Sequence, residues 1–217
     1  MSRARLRALL FGPNGAGKTT QGLLLAERYG VPFVSAGNVL RAEIAEKTAI
    51  GHMVESYVEA GMLAPDELVD AIVLKRLKNL ATEKGYVLDG FPRNVEQAVA
   101  LDKLLKPNLA IQLKLPDDVA IDRLKGRYVC ESCRSVFHDG FSLAQQICSV
   151  CLGPLARRKD DAEDAVRRRL AVYHFMTEPL AAHYRQRGIL LAINADQSIL
   201  DLHEELCKKT QKLGFTP

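Results

Sequence analysis

The chain has 217 residues, enough for one α/β domain with a well-buried core but too few for two full-sized domains and a linker. Its hydrophobic content of 47% is ordinary for a globular protein, and no apolar run approaches the roughly 20 residues that cross a bilayer. We therefore expect a soluble protein and no membrane partner. The net charge of +4 is modest, but ten of the 30 Lys and Arg residues fall between Arg123 and Arg169. Such a cluster is either a solvated helix face or a site for polyphosphate.

The first predicted element is a strand at residues 6–11, within the N-terminal stretch MSRARLRALLFG. This stretch has the basic flank of a signal peptide, but its apolar run is far shorter than the roughly 7 to 15 residues of a signal-peptide core. A glycine-rich loop, Gly12 to Thr20, follows the strand and contains the pattern G-x-x-x-x-G-K-[ST]. A helix from Lys18 to about Tyr29 comes next, and Gly30 is its predicted stop.

Strands and helices alternate along the rest of the chain. Further strands are predicted at residues 31–36, 86–90, 108–116 and 189–195, and helices at 38–46, 51–60 and 65–84, with a long helical run from 164 to 187. Pro65 and Asp66 suit the first turn of the helix at 65–84, and Pro179 is expected to end or kink the long run. Such alternation gives a parallel sheet covered on both faces. We therefore predict an α/β fold of the P-loop NTPase type, with a five-stranded parallel sheet flanked by helices.

The glycine-rich loop, called the phosphate loop below, is predicted to bind nucleotide phosphates because it follows a strand and opens a helix. Its backbone N–H groups and the helix dipole favour negative charge. The Lys18 ammonium can reach the β- and γ-phosphates, and Thr19 or Thr20 supplies a hydroxyl near magnesium. GTPases and transporter ATPases carry the same loop, but their N-K-x-D and L-S-G-G-Q motifs do not occur in the sequence.

Four further motifs accompany the phosphate loop: GNVLR at 37–41, DGFPR at 89–93, DRLKGR at 122–127 and RRKDDAEDAVRRRL at 157–170. Through these motifs the sequence resembles the adenylate kinase family of nucleoside monophosphate kinases over nearly its whole length. The resemblance implies reversible transfer of a phosphoryl group from ATP to AMP, giving two ADP, with magnesium. It also implies a lid that closes over both substrates and excludes water.

The resemblance assigns roles to individual residues. The catalytic residues would be Lys18, Arg93, Arg127, Arg158 and Arg169. The ATP-binding residues would be Gly15, Ala16, Gly17, Lys18, Thr19, Thr20, Arg123, Arg127 and Gln197, with Arg123 stacked on the donor adenine. The AMP-binding residues would be Ala36, Arg41, Met62, Leu63, Ala64, Gly90, Phe91, Pro92, Arg93, Gln97, Arg158 and Arg169. Asp89 would hold magnesium through water. Asp160 and Asp161 resemble a pair near the lid hinge, and helix capping is their alternative role.

The residue chemistry agrees with these roles. Arginine binds phosphate bidentately and stays charged, so several arginines can hold the phosphates of two nucleotides in one cleft. No general base is obvious, and none is needed, because the acceptor phosphate is already an anion that positioning and charge stabilisation can activate.

Four cysteines form the pattern C-x2-C-x14-C-x2-C, close to the spacing of four-thiolate zinc sites. They are Cys130, Cys133, Cys148 and Cys151. Two disulfides are the alternative, but a nucleotide kinase belongs in a reducing cytosol, which favours a structural metal in the lid. Zinc is expected, although iron and cobalt also accept tetrahedral thiolates.

Long-lid adenylate kinases commonly carry such a metal site, often with glycine after each cysteine pair. Here Arg134 and Leu152 stand at those positions, a departure that concerns the turn after each pair and not the four ligands. His138 is interpreted as a lid hairpin residue rather than a ligand. Cys207, on a predicted C-terminal amphipathic helix, is interpreted as a small packed apolar residue.

The acceptor-base side departs from the family pattern. Ala36 stands where adenylate kinases usually have a hydroxyl-bearing residue, and Asn38 replaces a usual acid. Backbone atoms of Met62 to Ala64 would line the base, while Gln97 would pair with its edge or else lie on a helix surface. A Gln carboxamide can pair with adenine and with cytosine in the same orientation, because both bases present a ring acceptor beside an amino donor. It can pair with uracil after the amide is flipped. We therefore expect AMP to be the best acceptor, with detectable use of CMP or UMP.

The predicted domain organisation is a core of residues 1–34, 65–125 and 162–217 with two insertions. Residues 35–64 would form the domain that binds the monophosphate, and residues 126–161 the metal-bearing lid. The expected protein is a cytoplasmic monomer that binds ATP and AMP and no nucleic acid. A UMP/CMP kinase is the alternative within the class, and a zinc-knuckle ATPase that binds nucleic acid is the alternative outside it.

Overall fold

A computed structural model describes residues 5–60, 62–78, 84–133, 135–138, 147–158 and 161–217. The central strands are β1 (Arg7–Phe11), β2 (Phe33–Ser35), β3 (Tyr86–Asp89), β4 (Leu109–Lys114) and β8 (Leu190–Asn194). They form one sheet in the order β2-β3-β1-β4-β8, and every neighbouring pair is parallel. The predicted five-stranded parallel sheet is confirmed.

Helices follow the strands and cover both faces of this sheet. They are α1 (Lys18–Tyr29), α2 (Ala36–Ala45), α3 (Ala49–Glu59), α4 (Asp66–Lys78), α5 (Val95–Leu105), α6 (Asp117–Lys125), α7 (Glu163–Val172), α8 (Leu180–Gln186) and α9 (Ile199–Lys212). Among the described residues, no helix combines the length and the apolar character that crossing a membrane would require.

Two hydrophobic cores separate the helices into two layers. On one face of the sheet, α1, α6, α7 and α9 bury residues such as Leu25, Leu124 and Leu206 against β1 and β4. On the other face, α2 to α5 and α8 bury residues such as Val73 and Leu101. A parallel sheet buried on both sides needs apolar residues throughout, and all four residues of β3 are buried.

A second, smaller sheet lies between α6 and α7 in the chain. It contains β5 (Arg127–Cys130), β6 (Val136–His138) and β7 (Leu155–Ala156), in the antiparallel order β6-β5-β7. The backbone of His138 pairs with that of Arg127, as a hairpin residue would.

Most element boundaries differ from the prediction by one or two residues, and two of the differences concern the start of a helix. Helix α2 begins at Ala36, so β2 is shorter than the predicted strand at 31–36. Helix α4 begins at Asp66, and the carbonyl of Pro65 accepts from the N–H groups of Leu68 and Val69. Pro65 therefore precedes the first turn instead of lying in it. The predicted end of this helix at 79–83 and the predicted stop at residue 61 lie outside the described residues.

The predicted interruption at Pro179 is confirmed. Helix α7 ends at Val172, a π-helical turn spans Tyr173–Thr177, and α8 begins directly after the proline. Because proline has no N–H to donate, the chain changes its hydrogen-bond pattern before it.

Candidate active site

A cleft of about 390 Å³ opens where the carboxyl ends of β1 and β3 meet at one edge of the parallel sheet. Its lining includes these predicted site residues: Gly15, Gly17, Lys18, Thr19, Thr20, Arg41, Met62, Leu63, Ala64, Asp89, Gly90, Pro92, Arg93, Arg127, Arg158 and Arg169. The other predicted nucleotide-binding residues, all within the described chain, do not line it: Ala16, Ala36, Phe91, Gln97, Arg123 and Gln197. Of the four predicted metal ligands, Cys130 lines it. The cleft thus joins both phosphate-binding sets with Met62, Leu63 and Ala64 of the predicted base contacts, whereas Ala36 and Gln97 do not line it.

The phosphate loop is shaped by close approaches of its backbone to the core. Gly12 has φ 153°, and a Cβ there would clash with the carbonyl oxygen of Leu113 in β4. Gly15 has φ 87°, and its Cβ would lie 3.0 Å from the carbonyl oxygen of Ala120 in α6. These positions require glycine because a side chain would strain the backbone and displace the neighbouring strand or helix.

Lys18 opens α1 with its ammonium folded back over the phosphate loop. Its Nζ donates to the carbonyl oxygens of Gly12, at 3.0 Å, and Pro13, at 2.8 Å. Burial lowers the pKa of Lys18 to about 8, against the opposing effect of Asp89. The ammonium is therefore held at the mouth of the loop, in surroundings that favour the arrival of a negative group.

Thr19 and Asp89 meet across the cleft floor. The Thr19 hydroxyl donates to Oδ2 of Asp89 at 2.6 Å, which joins the start of α1 to the end of β3. Asp89 is 3% exposed. A hydroxyl and a carboxylate side by side are the hard oxygen ligands that magnesium prefers. The structure thus brings Thr19, of the two adjacent threonines, to the predicted magnesium-binding aspartate.

Asp161 holds two arginines on the opposite side of the cleft. Its carboxylate accepts from Nε of Arg127 at 2.8 Å and from Nη2 of the same guanidinium at 2.5 Å. Nη1 of Arg169 lies 3.5 Å from the same carboxylate. Helix α7 begins after Ala162, whose side chain makes no cap, so Asp161 orients arginines and is not the helix cap. Asp160 lies outside the described residues.

The remaining arginines are positioned by short local contacts. Arg93 donates from Nε to the carbonyl oxygen of Gly90 at 2.8 Å, and burial lowers the pKa of its guanidinium. Arg41 donates from Nη2 to Oδ1 of Asn38 at 2.6 Å. An amide oxygen therefore supplies the acceptor at position 38, where an acid was expected.

Arg123 and Gln197 lie beside the phosphate loop rather than in the cleft lining. Nη1 of Arg123 donates to the carbonyl oxygen of Ala195 at 3.0 Å, and Nη2 donates to that of Gln197 at 3.3 Å. The Gln197 amide donates to Oε2 of Glu205 at 2.7 Å. These contacts join α6 to the loop after β8.

The predicted AMP-binding residues Ala36, Phe91 and Gln97 are buried, at 0%, 2% and 3% exposure. Ala36 is the first residue of α2, so its methyl group lies within the core. Gln97 is neither on a helix surface nor in the cleft lining, and its carboxamide is hydrogen-bonded to Arg93, Asp66 and Asp70.

The four predicted metal-ligating cysteines come together in the small sheet. Their sulfur atoms all lie within 4.8 Å of one another, with Cys130 to Cys151 at 3.4 Å and Cys133 to Cys148 at 3.5 Å. Sulfurs around a tetrahedral zinc ion with 2.3 Å bonds would be about 3.8 Å apart. All five cysteines of the chain carry free thiols, so the four fit a metal better than two disulfides.

The backbone supports each cysteine pair in the manner of a metal knuckle. The N–H of Cys133 donates to the sulfur of Cys130, and that of Val150 donates to the sulfur of Cys148, both at 3.4 Å. Leu152 has φ 61°, the left-handed conformation that glycine adopts without strain. The knuckle therefore keeps its turn at Leu152 despite the leucine. Arg134 lies outside the described residues.

Comparisons with known proteins agree with this geometry. The family model for adenylate kinase matches residues 10–189. An adenylate kinase of Desulfitobacterium hafniense is 42% identical over 208 residues, covering 93% of this chain and 96% of the relative. One of Streptomyces avermitilis is 41% identical over 198 residues (88% and 90%), and one of Thermodesulfovibrio yellowstonii is 40% identical over 214 residues (95% and 100%). The chain belongs to the adenylate kinase family. It is therefore a nucleoside monophosphate kinase, as the sequence motifs predicted.

Some cleft residues of this adenylate kinase were not predicted from the sequence. Asn14 lines the cleft, and its side-chain amide lies against the guanidinium of Arg169. Ser35, Arg157 and Thr177 also line it, and the Thr177 hydroxyl donates to the carbonyl oxygen of Arg93 at 2.8 Å. Asn14 and Arg157 lie within motifs that the sequence shows, so their positions could have marked them. Thr177 lies in the π-helical turn and carries no such signal.

Proposed function

We propose that this adenylate kinase transfers the γ-phosphoryl group of ATP to AMP, with magnesium, in the cleft between the phosphate loop and the small sheet. The observation that carries the proposal is the convergence of Lys18, Arg93, Arg127, Arg158 and Arg169 on one cleft with the Thr19 and Asp89 pair. So many cations in one cleft suit the combined negative charge of a triphosphate and a monophosphate.

The phosphate loop would bind the donor. Backbone N–H groups of Gly15, Ala16 and Gly17 would hold the β-phosphate, which explains how Ala16 serves the site although its side chain is buried. Lys18 would exchange its carbonyl contacts for the β- and γ-phosphate oxygens. Arg123 and Gln197 would form the wall beside the donor adenine.

Thr19 and Asp89 would hold magnesium, Thr19 through its hydroxyl and Asp89 through water. Bound there, the ion would neutralise charge on the β- and γ-phosphates. The hydrogen bond from Thr19 to Asp89 keeps both oxygens at one place on the cleft floor before the nucleotide arrives. A preorganised site needs little rearrangement on binding.

Arg41 and Arg93 would hold the acceptor phosphate, and Arg127, Arg158 and Arg169 would close on the transferred group. The contact with Asp161 keeps two of these guanidinium groups ready at the rim. No side chain needs to remove a proton, since the acceptor oxygen is an anion. Catalysis would come from alignment and from stabilising the charge that spreads over the transferred group.

Residues 35–64 and 126–161 would move over the core and exclude water, because an open cleft would hydrolyse the donor. The four cysteines would hold a structural zinc ion that stabilises the moving lid and leaves no coordination position for substrate. We further propose a cytoplasmic monomer without nucleic-acid or membrane partners, since free thiols at a metal site suit a reducing compartment.

The test is ADP formation from Mg-ATP with AMP, CMP, UMP or RNA as the second substrate. We expect the highest kcat/KM with AMP, and no ATP turnover stimulated by RNA. Higher kcat/KM with CMP or UMP would indicate a pyrimidine monophosphate kinase. RNA-stimulated hydrolysis without ADP formation from AMP would indicate the nucleic-acid-binding alternative.

A further inference from the structure

A polar network joins the N-terminal turns of α4 and α5 next to the acceptor side of the cleft; Asn94 and Gln97 are buried, and Asp66 and Asp70 are half-buried. It consists of Asp66 and Asp70 on α4 and of Asn94 and Gln97 at α5; we call it the acceptor-side network. The Gln97 amide nitrogen donates to Oδ1 of Asp66 at 2.8 Å and to Oδ1 of Asp70 at 3.1 Å. Its amide oxygen accepts from the N–H of Arg93 at 2.8 Å. Both ends of the carboxamide are therefore hydrogen-bonded.

These partners permit one orientation of the Gln97 amide. Carboxylates only accept hydrogen bonds, and a backbone N–H only donates one. In the flipped orientation, the amide oxygen would face two carboxylates while its NH2 group faced the N–H of Arg93. Gln97 is 3% exposed, so water does not replace the lost partners.

The carboxylates of Asp66 and Asp70 differ in the other hydrogen bonds that they accept. Asp66 also accepts from Nδ2 of Asn94 at 2.6 Å, and Asn94 caps α5 through the N–H of Gln97. Asp66 therefore takes part in joining the two helices. Among the described residues, the hydrogen bond that Asp70 accepts through its side chain is the one from Gln97. Burial and the neighbouring Asp66 raise the pKa of Asp70.

Amide orientation matters because acceptor bases fall into two classes. Adenine and cytosine present a ring nitrogen that accepts and an amino group that donates. Uracil, guanine and hypoxanthine present a ring N–H that donates and a carbonyl that accepts. The Gln97 orientation in the structure matches the first class. One of its two N–H groups would turn to the ring nitrogen while the other stays on a carboxylate, and its oxygen has a second lone pair for the amino group.

We propose that Asp70, together with Asp66, determines acceptor specificity by fixing the Gln97 amide in the orientation that rejects bases with a ring N–H. Both aspartates are positioning residues that act through Gln97. The proposal rests on the proposed function and on the prediction from the sequence that Gln97, which does not line the cleft in this structure, pairs with the edge of the acceptor base when AMP is bound. If the amide cannot flip, Gln97 cannot pair with uracil. CMP is then the pyrimidine nucleotide that the site can accept.

The first experiment uses the unmodified protein and three purine monophosphates of similar size. Equilibrium affinities are measured by calorimetry for AMP, purine riboside 5′-monophosphate and IMP. If the amide is fixed, the affinity falls in the order AMP, purine ribotide, IMP. IMP should bind about tenfold more weakly than the purine ribotide, because its ring N–H would face an N–H group of Gln97 and its carbonyl would face the Gln97 oxygen. A freely turning amide gives IMP two hydrogen bonds and places it above the purine ribotide. That order would overturn the proposal.

The second experiment tests the aspartates with Asp70→Asn and the Asp66→Asn/Asp70→Asn double variant. Asparagine can donate to a flipped Gln97 oxygen, while the N–H of Arg93 still favours the original orientation. The ratio of IMP to purine ribotide affinity should therefore rise a fewfold, and more in the double variant than in the single variant. The matched control is Glu67→Gln, an exposed acid on the same helix, which should leave the ratio unchanged. Equal losses for all three nucleotides in a folded variant would mean a merely structural role and would contradict the proposal.

Measurements of activity distinguish a failure of this inference from a failure of the proposed function. If the parent protein phosphorylates AMP but binds IMP better than the purine ribotide, the amide is not fixed and the kinase assignment stands. If no monophosphate accepts a phosphoryl group from ATP, the proposed function fails. Gln97→Ala completes the set: an unchanged order of the three affinities would show that Gln97 does not meet the base. Should the double variant not fold, the order in the parent protein still decides whether the amide is fixed.

Discussion

In the phosphate loop, Lys18 bonds to carbonyl oxygens only five and six positions before it. On the acceptor side of the same cleft, Gln97 bonds to carboxylates 27 and 31 positions away. The phosphate loop is thus built from one strand, one turn and one helix start, while the acceptor pocket requires two helices to be packed before its polar groups meet. Lys18 is therefore held by local contacts, whereas Gln97 depends on a tertiary contact.

The largest effect on turnover is expected from removing the Lys18 ammonium of the phosphate loop. Lys18→Ala should lower kcat for ADP formation by about a thousandfold or more, because the ammonium acts on charge that develops at the transferred phosphoryl group. Lys114→Ala, an exposed lysine at the end of β4, is the matched control. Thermal melting should show both variants folded. Near-normal turnover by a folded Lys18→Ala protein would rule out its role.

Removal of the lid metal should act on stability rather than on chemistry. Changing Cys130 and Cys148 to Ser removes two thiolates, and metal affinity is coupled to folding. A loss of about 3 kcal/mol would lower the melting temperature by about 6 to 12 °C, with activity retained at low temperature. Cys207→Ala, outside the cluster, should leave the metal content unchanged. The protein should be produced with ample zinc and iron and then analysed for metals. If the analysis detects no zinc, iron or cobalt, the assignment of the metal site is wrong.

The same contrast explains what the sequence could and could not predict. The five-stranded sheet, the phosphate loop, and the two cysteine pairs are encoded by neighbouring residues, so periodicity and spacing predict them. The fixed amide of Gln97 depends on Asp70, which looks like an ordinary surface acid on a helix. The contact of Thr19 with Asp89 spans 70 positions, so the sequence alone left two threonines open. Side-chain partners across different elements emerge only when the elements pack.

Magnesium binding tests the contact between Thr19 and Asp89. Thr19→Ala should raise the magnesium concentration for half-maximal activity by about 10- to 100-fold or more, since Thr19 would be a ligand and even the loss of a residue that only orients a ligand commonly costs that much in metal affinity. Thr19→Ser keeps the hydroxyl and should behave like the parent. Thr20→Ala should have the smaller effect of the two alanine changes. The reverse order would transfer the magnesium role to Thr20.

The dependence of kcat/KM for ATP on pH should report the ionisation of the Lys18 ammonium. Burial lowers the pKa of Lys18 to about 8, so the free protein loses this positive charge as the pH rises through that value. We expect kcat/KM for ATP to fall above pH 8, approaching tenfold per pH unit, because this parameter reports ionisation of the free enzyme. If the profile stays flat to pH 10, the ammonium remains charged in the free cleft.

The smallest effect is expected at Ala36, on the acceptor side. A hydroxyl at this position could add a hydrogen bond to the base, worth roughly 0.5 to 1.5 kcal/mol, so Ala36→Thr should sharpen the preference for AMP over CMP by at most about tenfold. The methyl group of Ala36 is fully buried at the start of α2, so the new hydroxyl reaches the base only if α2 shifts when the acceptor binds. The measurement is kcat/KM for AMP, CMP and UMP in both proteins, with thermal melting to detect overpacking. An unchanged AMP to CMP ratio in a folded variant would show that position 36 does not face the base. UMP should stay the poorest acceptor in both proteins, because neither residue at position 36 alters the orientation of the Gln97 amide.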